Sequence, residues 1–216
     1  MKTVPIISVE GCIGSGKSTF LNYLNKNIDS IAVLKEPLDS WQNVEGENIL
    51  SSMYENPKQH TFLFQMYALL TILQQNTNSL DVKAKIIERH MGYRCFIENS
   101  YQLGTLSKVE FSVLCQWINY LCTFPYLNMT SDLIIYLKTS PETCFERIKK
   151  RNRNEEQNVA FDYIANLHKI HDQFIMNKTL NPKCELIVID ANQDLKDLTL
   201  VYDEVKDKIV KFIENF

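Results

Sequence analysis

The chain has 216 residues, of which 45% are hydrophobic and 23% are charged, and its formal net charge at pH 7 is −3. This length and composition are typical of one domain with a full hydrophobic core, and the slight negative charge gives no general attraction to nucleic acid. No apolar run in the sequence reaches membrane-spanning length. We therefore expect a single domain over residues 1–216, with no nucleic-acid and no membrane partner.

The six cysteines favour a reducing compartment. They form no C-x-x-C pair and have no metal-ligand spacing; they are Cys12, Cys95, Cys115, Cys122, Cys144 and Cys184. A strand-like run begins by Val4, which leaves no room for a targeting peptide in the chain as written. These features predict free thiols and a cytoplasmic location.

Residues 11–18, GCIGSGKS, match the pattern G-x-x-x-x-G-K-[ST] of a phosphate-binding loop. An apolar run at 4–9 precedes the loop, and a run with helical apolar spacing follows it, which predicts strand, loop and helix in that order. The glycines let backbone N–H groups and the helix N-terminus face a phosphate. Lys17 would reach the β- and γ-phosphates of ATP or GTP, and Ser18 would bind Mg²⁺. The predicted nucleotide-binding residues here are Gly11, Cys12, Ile13, Gly14, Ser15, Gly16, Lys17, Ser18 and Thr19.

The next two predicted strands each end at charged residues. The apolar run at 31–34 predicts a second strand that stops before Glu36-Pro37. A turn-rich stretch with Trp41 and two helices, over 48–54 and onward from Pro57, precede a third strand that ends at Glu88-Arg89.

The second half continues the alternation of strands and helices. Helical spacing covers residues 111–124, a buried strand covers 132–137, and Ser140-Pro141-Glu142 predicts the start of a further helix. This helix leads into a basic run, which we interpret as an arginine-rich lid over about residues 147–158. A helix over about 160–177, a strand at 185–190 and a last amphipathic helix complete the chain.

This alternation predicts an α/β fold with a five-stranded parallel sheet flanked by helices. Ligands bind such sheets beyond the carboxyl ends of the strands, where the phosphate-binding loop, Glu36 and Glu88-Arg89 are all expected. Glu36 could act as a general base, Arg89 could clamp a carboxylate or a phosphate, and Glu88 could hold Mg²⁺ through water. The alternative for each is a solvated surface charge.

The basic run has the same two interpretations. Arg147, Arg151 and Arg153 could close over ATP phosphates and exclude water, or they could form a solvated helix end.

Taken together, these motifs make the chain similar to the deoxynucleoside kinase family, whose members include deoxycytidine, deoxyguanosine, thymidine kinase 2-like and multisubstrate insect-type enzymes. The resemblance covers nearly the whole chain. It rests on residues 11–18, Glu36-Pro37 with Trp41, Met53-Tyr54, Phe64-Gln65, Glu88-Arg89, Phe96-Ile97-Glu98-Asn99, 132–137 and 151–156. The resemblance implies a P-loop kinase fold and ATP-dependent, Mg²⁺-requiring phosphorylation of the 5′-hydroxyl of a deoxyribonucleoside.

The resemblance also implies residue roles. Glu36 would take the 5′-hydroxyl proton, with Arg89 beside it. The implied catalytic residues are Glu36, Arg89 and Lys17. Gln65 would pair with the base edge, Phe64 and Phe96 would sandwich the base, and Tyr54 and Glu156 would bind the 3′-hydroxyl. The implied substrate-binding residues are Glu36, Trp41, Met53, Tyr54, Phe64, Gln65, Ala68, Ile72, Arg89, Phe96 and Glu156. Arg147, Arg151 and Arg153 would face ATP phosphates, and Ser18 and Glu88 would form the metal site.

One segment departs from the family pattern. Members typically have serine after Glu-Arg and a longer segment before the base-stacking phenylalanine. Here histidine follows Glu-Arg, and the segment from His90 to Cys95 is about two residues short. Gln65 and the neutral Ala68 and Ile72 favour a pyrimidine base, while the short segment could open room for a larger ring.

The resemblance further implies a homodimer. Two apolar helical faces, residues 63–73 and 113–121, would pack into a four-helix interface.

Two other functions remain open from the sequence. A nucleoside monophosphate kinase of the thymidylate kinase type shares the phosphate-binding loop and Glu-Pro, but needs a cationic site for the phosphate of its substrate. A non-catalytic nucleotide-binding scaffold would keep the loop without the transfer chemistry, although Glu36, Arg89 and the lid arginines are present.

Overall fold

The computed structural model describes residues 4–90, 92–177 and 183–216. Within these ranges five strands alternate with helices. The strands are β1 (Ile6–Glu10), β2 (Ile31–Leu34), β3 (Ala84–Glu88), β4 (Leu133–Lys138) and β5 (Glu185–Asp190). The helices are α1 (Lys17–Asn27), α2 (Leu38–Gln42), α3 (Ile49–Glu55), α4 (Pro57–Thr77), α5 (Tyr93–Gln102), α6 (Lys108–Leu121), α7 (Pro141–Arg151), α8 (Phe161–Met176) and α9 (Leu195–Asn215). Two 3₁₀ turns lie at Pro125–Leu127 and Asn154–Glu156.

The strands form one parallel sheet in the order β2-β3-β1-β4-β5. In the centre, Ile7 of β1 is paired with Ile86 of β3 and Leu133 of β4. All five residues of β1 and of β3 are buried, as expected for parallel strands covered on both faces. The predicted five-stranded α/β fold is confirmed.

Alternate residues of each strand pack against different helices. On one face, Ile7 and Ile135 share a buried cluster with residues of α1 and α9, such as Phe20 and Tyr202. On the other face, Tyr136 packs with Ile175 of α8. These two layers fix the carboxyl ends of the strands against the starts of the following helices, and the functional cavity lies there.

Most predicted elements are present with small shifts at their ends. Ser140 caps α7 by accepting a hydrogen bond from the Thr143 amide, as its sequence indicates. Helix α6 starts before the predicted residue 111 because Ser107 and Glu110 form a capping box. No described helix has both the length and the apolar composition that crossing a membrane requires.

Two helices were not predicted. Helix α2 occupies the stretch interpreted as turn-rich, and α5 begins inside the short His90–Cys95 segment, of which Met91 lies outside the described residues. Helix α5 has Gly92 at its N-cap and no local side-chain cap, so the usual sequence signal for a helix start is missing.

Candidate active site

A cavity of about 410 Å³ opens at the carboxyl ends of the central strands. Its volume is in the range of small-molecule sites. Most of the predicted site residues line it, although they come from distant parts of the chain. They are Ile13, Gly14, Gly16, Lys17, Ser18, Thr19, Glu36, Trp41, Met53, Tyr54, Phe64, Gln65, Ala68, Ile72, Glu88, Arg89, Phe96, Arg147, Arg151, Arg153 and Glu156. Of the predicted loop residues, Gly11, Cys12 and Ser15 are buried behind this lining.

The phosphate-binding loop connects β1 to α1, as predicted. Gly14 and Gly16 have φ angles of 81° and 97°, which favour glycine. Lys17 is buried and its Nζ donates hydrogen bonds to the carbonyl oxygens of Gly11 (3.2 Å) and Cys12 (3.0 Å). Burial, and then the charge of Arg89, lower the pKa of Lys17. The loop thus holds its ammonium group beside the α1 N-terminus, where an anion would be stabilised.

Glu36 and Arg89, which both line the cavity, form an ion pair. Their Oε1 and Nε atoms are 2.8 Å apart, and the side chains are 19% and 7% exposed, respectively. Burial alone would lower the pKa of Arg89, but the carboxylates of Glu36, Glu88 and Glu10 outweigh it, and the pKa is raised. Arg89 therefore stays charged and keeps the Glu36 carboxylate beside it by electrostatic attraction.

Ser18 and Glu88 provide a hydroxyl and a carboxylate next to each other. Ser18 Oγ donates a hydrogen bond to Glu88 Oε1 at 3.3 Å. Burial, followed by repulsion from Glu36, raises the pKa of Glu88. Mg²⁺ usually takes one or two such protein oxygens together with substrate phosphates and water, so this pair fits the ion. Among the described residues, no group of three or more His, Cys, Asp and Glu could hold a metal by itself.

A strained turn places Arg89, and a distant carboxylate supports it. Arg89 has a φ of 57°, a conformation that costs a non-glycine residue about 1–3 kcal/mol. Glu10, fully buried at the end of β1, accepts hydrogen bonds from the Gly92 amide (3.2 Å) and from Ser8 Oγ. A Cβ atom at Gly92 would overlap the Glu10 carboxylate. Glu10 therefore anchors the turn at the N-terminus of α5, a contribution that the sequence analysis missed.

The lid arginines are paired in two different ways. Arg151 and Arg153 both form ion pairs with Glu156. The distance is 2.5 Å from Arg151 Nη2 to Oε2 and 3.0 Å from Arg153 Nη1 to Oε1. Arg147 instead donates hydrogen bonds to the backbone oxygens of Ala191 (2.8 Å) and Gln193 (3.0 Å). Two guanidinium groups against one carboxylate leave a net positive charge over the cavity, which suits polyphosphate.

The opposite end of the cavity is mainly apolar and aromatic. Trp41 meets Phe64 edge-to-face with ring centroids 5.3 Å apart, and its indole nitrogen donates a hydrogen bond to Thr71 (2.9 Å). Gln65 lies on α4 with Ala68 and Ile72, so one stripe of this helix lines the cavity. Such a wall, with one amide among apolar groups, suits a flat heterocycle.

Helix α5 supplies two aromatic rings to this end. Phe96, predicted to stack on the base, has the Arg89 guanidinium 4.3 Å from its ring centroid and His171 at its edge. Tyr93, one helical turn earlier, also lines the cavity. Sequence reasoning missed Tyr93 and Leu38 of the lining because the helices that carry them were not predicted. It also missed Leu50, which lies on the predicted helix over 48–54.

Tyr54 and Glu156 lie in the same cavity, as the predicted 3′-hydroxyl site requires. Burial raises the pKa of Tyr54 well above its usual range, so its phenol stays neutral and can donate a hydrogen bond. The Tyr163 ring lies edge-on to the Tyr54 ring, with the two ring centroids 6.4 Å apart. The two predicted groups are thus together, one a neutral donor and one a carboxylate acceptor.

The parallel sheet, the phosphate-binding loop, the carboxylate–arginine pair and the arginine-bearing lid define a P-loop phosphotransferase. The family model described as "Deoxynucleoside kinase" matches residues 7–214, so the chain belongs to the deoxynucleoside kinase family, whose members are nucleoside kinases. Both the family and the kinase class predicted from the sequence are confirmed.

Two human proteins illustrate the likeness. The chain is 33% identical over 208 residues to "Thymidine kinase 2, mitochondrial" from Homo sapiens, a match covering 95% of this chain and 77% of that protein. It is 30% identical over 237 aligned positions to "Deoxycytidine kinase" from Homo sapiens, covering 96% and 90% of the two chains.

Proposed function

We propose that the chain transfers the γ-phosphoryl group of ATP to the 5′-hydroxyl of a deoxyribonucleoside, requires Mg²⁺, and prefers pyrimidine bases. The observation that carries this proposal is the Glu36–Arg89 pair at 2.8 Å, inside the cavity that Lys17 also lines. A base, a fixed cation and a phosphate-binding loop around one space are what in-line transfer to an alcohol needs.

Glu36 accepts the proton of the 5′-hydroxyl as the oxygen attacks phosphorus. Arg89 holds this carboxylate in place, and its own charge stabilises the negative charge that develops on the transferred group. Lys17, with Arg151 and Arg153 of the lid, supplies the remaining positive charge on the polyphosphate side. The protein therefore contributes orientation and electrostatic stabilisation, which are the main requirements of phosphoryl transfer.

The metal requirement rests on Ser18 and Glu88, whose oxygens are 3.3 Å apart beside the loop. When bound there, Mg²⁺ would neutralise phosphate charge. Activity that persists unchanged with excess EDTA would contradict this part of the proposal.

The preference for pyrimidines rests on Gln65. Its side-chain amide offers both a donor and an acceptor to the edge of a base, on the stripe of α4 that also carries the neutral Ala68 and Ile72. The two relatives are named for the nucleosides thymidine and deoxycytidine. Both of these nucleosides carry a pyrimidine base.

The direct test is formation of ADP by the purified chain with Mg-ATP and, separately, four deoxynucleosides and their monophosphates. We expect turnover with the deoxynucleosides, highest with thymidine or deoxycytidine. Turnover with monophosphates alone would support the thymidylate kinase type instead, and ATP binding without any ADP would indicate a scaffold. Replacing ATP by GTP in the same assay tests the donor.

We also propose a homodimer that uses the exposed apolar faces of α4 and α6. Leu63 and Leu70 of α4 are 55% and 47% exposed, and Trp117 and Tyr120 of α6 are 47% and 58% exposed. Single apolar side chains at a surface are ordinary, but four large ones on two adjacent helices form a patch that a partner would cover. Sedimentation at micromolar concentration should give twice the mass of the 25.2 kDa chain, and a monomer would contradict the proposal.

The cytoplasmic location stays a proposal. All six cysteines are free thiols, and four of them are buried, as suits a reducing compartment. Fractionation of cells that produce the protein would test it.

A further inference from the structure

The short segment after Arg89 does not simply open the cavity, because it delivers a bulky ring. Tyr93 is the first residue of α5, lines the cavity and is only 8% exposed. Phe96 follows three residues later, so both rings lie on the same face of the helix. Tyr93 therefore stands next to the ring that is proposed to stack on the base.

Tyr93 also faces the helix that carries Gln65. It belongs to the same buried cluster as Leu69 and Ile72 of α4. Ile72 lines the cavity two turns beyond Gln65, so Tyr93 and Ile72 close the same end of it. A base paired with Gln65 has this wall, rather than open solvent, at its far side.

The backbone directly before Tyr93 is constrained. Glu10 accepts a hydrogen bond from the amide of Gly92, the residue directly before Tyr93, at 3.2 Å. Because a Cβ atom at Gly92 would overlap the Glu10 carboxylate, residue 92 cannot itself supply a side chain to the wall. Tyr93 is the next residue along, and its phenol stays neutral since burial raises its pKa.

From this geometry we propose that Tyr93 is a specificity-determining residue: its ring limits the depth of the base pocket and disfavours purines. The inference rests on the proposed nucleoside kinase function and assigns the base preference to a particular side chain. Tyr93 would discriminate by shape, because a two-ring base needs space that the Tyr93 ring occupies.

The test compares kcat/KM for thymidine, deoxycytidine, deoxyadenosine and deoxyguanosine in the wild type and three variants. Tyr93→Leu removes the ring, and Tyr93→Phe keeps it without the hydroxyl. The matched control, Tyr101→Leu, makes the same change on α5 outside the cavity, where Tyr101 stacks on Phe111. Should Tyr93→Leu fail to fold in a thermal melt, it is replaced by Tyr93→Met, whose unbranched, flexible side chain adapts better to the space that the ring leaves.

We expect Tyr93→Leu or Tyr93→Met to raise the purine-to-pyrimidine ratio of kcat/KM by about tenfold or more, as size changes in apolar pockets do. Tyr93→Phe and Tyr101→Leu should leave that ratio within about twofold of the wild type, well below the size effect. An equal fall for all four nucleosides in Tyr93→Leu, with an unchanged ratio, would overturn the inference.

The two proposals fail in distinguishable ways. A folded wild type without turnover of any nucleoside refutes the proposed function and the inference with it. A wild type that prefers purines refutes the pyrimidine preference but not the nucleoside kinase activity. An active wild type with an unchanged ratio in the folded Tyr93 variant, Tyr93→Leu or Tyr93→Met in its place, refutes only the role of Tyr93.

Discussion

The phosphate end and the base end of the cavity are built in opposite ways. At the phosphate end, consecutive residues 11–18 form a loop whose own carbonyl oxygens hold Lys17. At the base end, α2, α3, α4 and α5 each contribute a few side chains to an apolar wall. A local motif therefore fixes the phosphate chemistry, while tertiary packing fixes the fit to the acceptor.

The Glu36–Arg89 pair lies where the two ends meet. Glu36 follows β2 and Arg89 follows β3, and the register that pairs Leu34 with Ile87 brings these two strand ends together. The sheet thus brings the two charged groups together, and the turn after β3, which Glu10 anchors, sets the backbone conformation of Arg89. Variants at the junction, at each end and in the lid can separate these contributions.

The largest effect is expected for Glu36→Gln at the junction. The amide keeps the shape of the carboxylate but cannot accept the 5′-hydroxyl proton, and general base catalysis typically contributes about 10²–10⁴-fold to rate. We expect kcat to fall by that factor while nucleoside affinity, measured by calorimetry, changes little. Asp39→Asn, at an exposed carboxylate of α2 outside the cavity, is the matched control. Near-normal turnover of Glu36→Gln would exclude Glu36 as the base.

The features that could be predicted from the sequence are those that depend on local motifs rather than on tertiary packing. The loop, the ends of β2 and β3 and the parallel sheet could be predicted because each depends on neighbouring residues and on apolar runs. Helix α5 could not, because its N-terminus is held by Glu10, which is 82 residues away from Gly92. Tyr93 consequently had no predicted position, although the unusual length of its segment was visible. The roles carried by resemblance remain predictions, even though the structure brings those residues into one cavity.

At the phosphate end, Gly14→Ala tests how closely the loop is packed. Gly14 has a φ of 81°, and a Cβ atom there would lie 2.5 Å from the backbone oxygen of Cys144 on α7. Overpacking costs about 1–3 kcal/mol and the left-handed conformation a further 1–2 kcal/mol or so. The sum, about 2–5 kcal/mol, corresponds to a loss of about 30- to 4,000-fold if it falls on ATP affinity.

Gly104→Ala separates these two costs. Gly104 has a similar φ of 70°, but no atom lies within 4 Å of its added Cβ. We expect this variant to lose only the conformational part, about 1–2 kcal/mol of unfolding free energy, with unchanged ATP affinity. Equal effects of the two variants on ATP binding would show that the contact with Cys144 does not matter.

Behind the cavity lining, two buried histidines, His90 next to Arg89 and His171 at the edge of Phe96, should make folding sensitive to mild acid. Burial is the main cause that lowers the pKa of His90 to about 4 and that of His171 to about 3. In the unfolded chain both take up a proton near pH 6.5, so the unfolded state binds more protons and stability falls as the pH drops. Each histidine should lower the unfolding free energy by about 2 kcal/mol between pH 7 and 5.

Urea unfolding at pH 7, 6 and 5 measures this effect, in a range above the titration of ordinary carboxylates. His90 bonds to Ser131 and to the Asn128 carbonyl, so His90→Gln lowers stability at every pH but should reduce its pH dependence by about half. An unfolding free energy that is flat from pH 7 to 5 in the wild type would contradict the buried, neutral state of both rings.

The smallest effect is expected for Glu155→Ala in the lid. Glu155 connects the lid to the helices at the base end of the cavity. Its carboxylate accepts hydrogen bonds from Gln42 of α2 (2.8 Å) and from Asn48, the cap of α3 (3.0 Å). Because these groups are partly exposed, we expect Glu155→Ala to cost only about 1 kcal/mol, or roughly fivefold. Since α3 carries Tyr54, the loss should raise KM for the nucleoside and leave kcat nearly unchanged. Glu146→Ala, at an exposed residue of α7, is the control. A fall in kcat at unchanged KM would instead mean that this contact acts on transfer rather than on holding the acceptor.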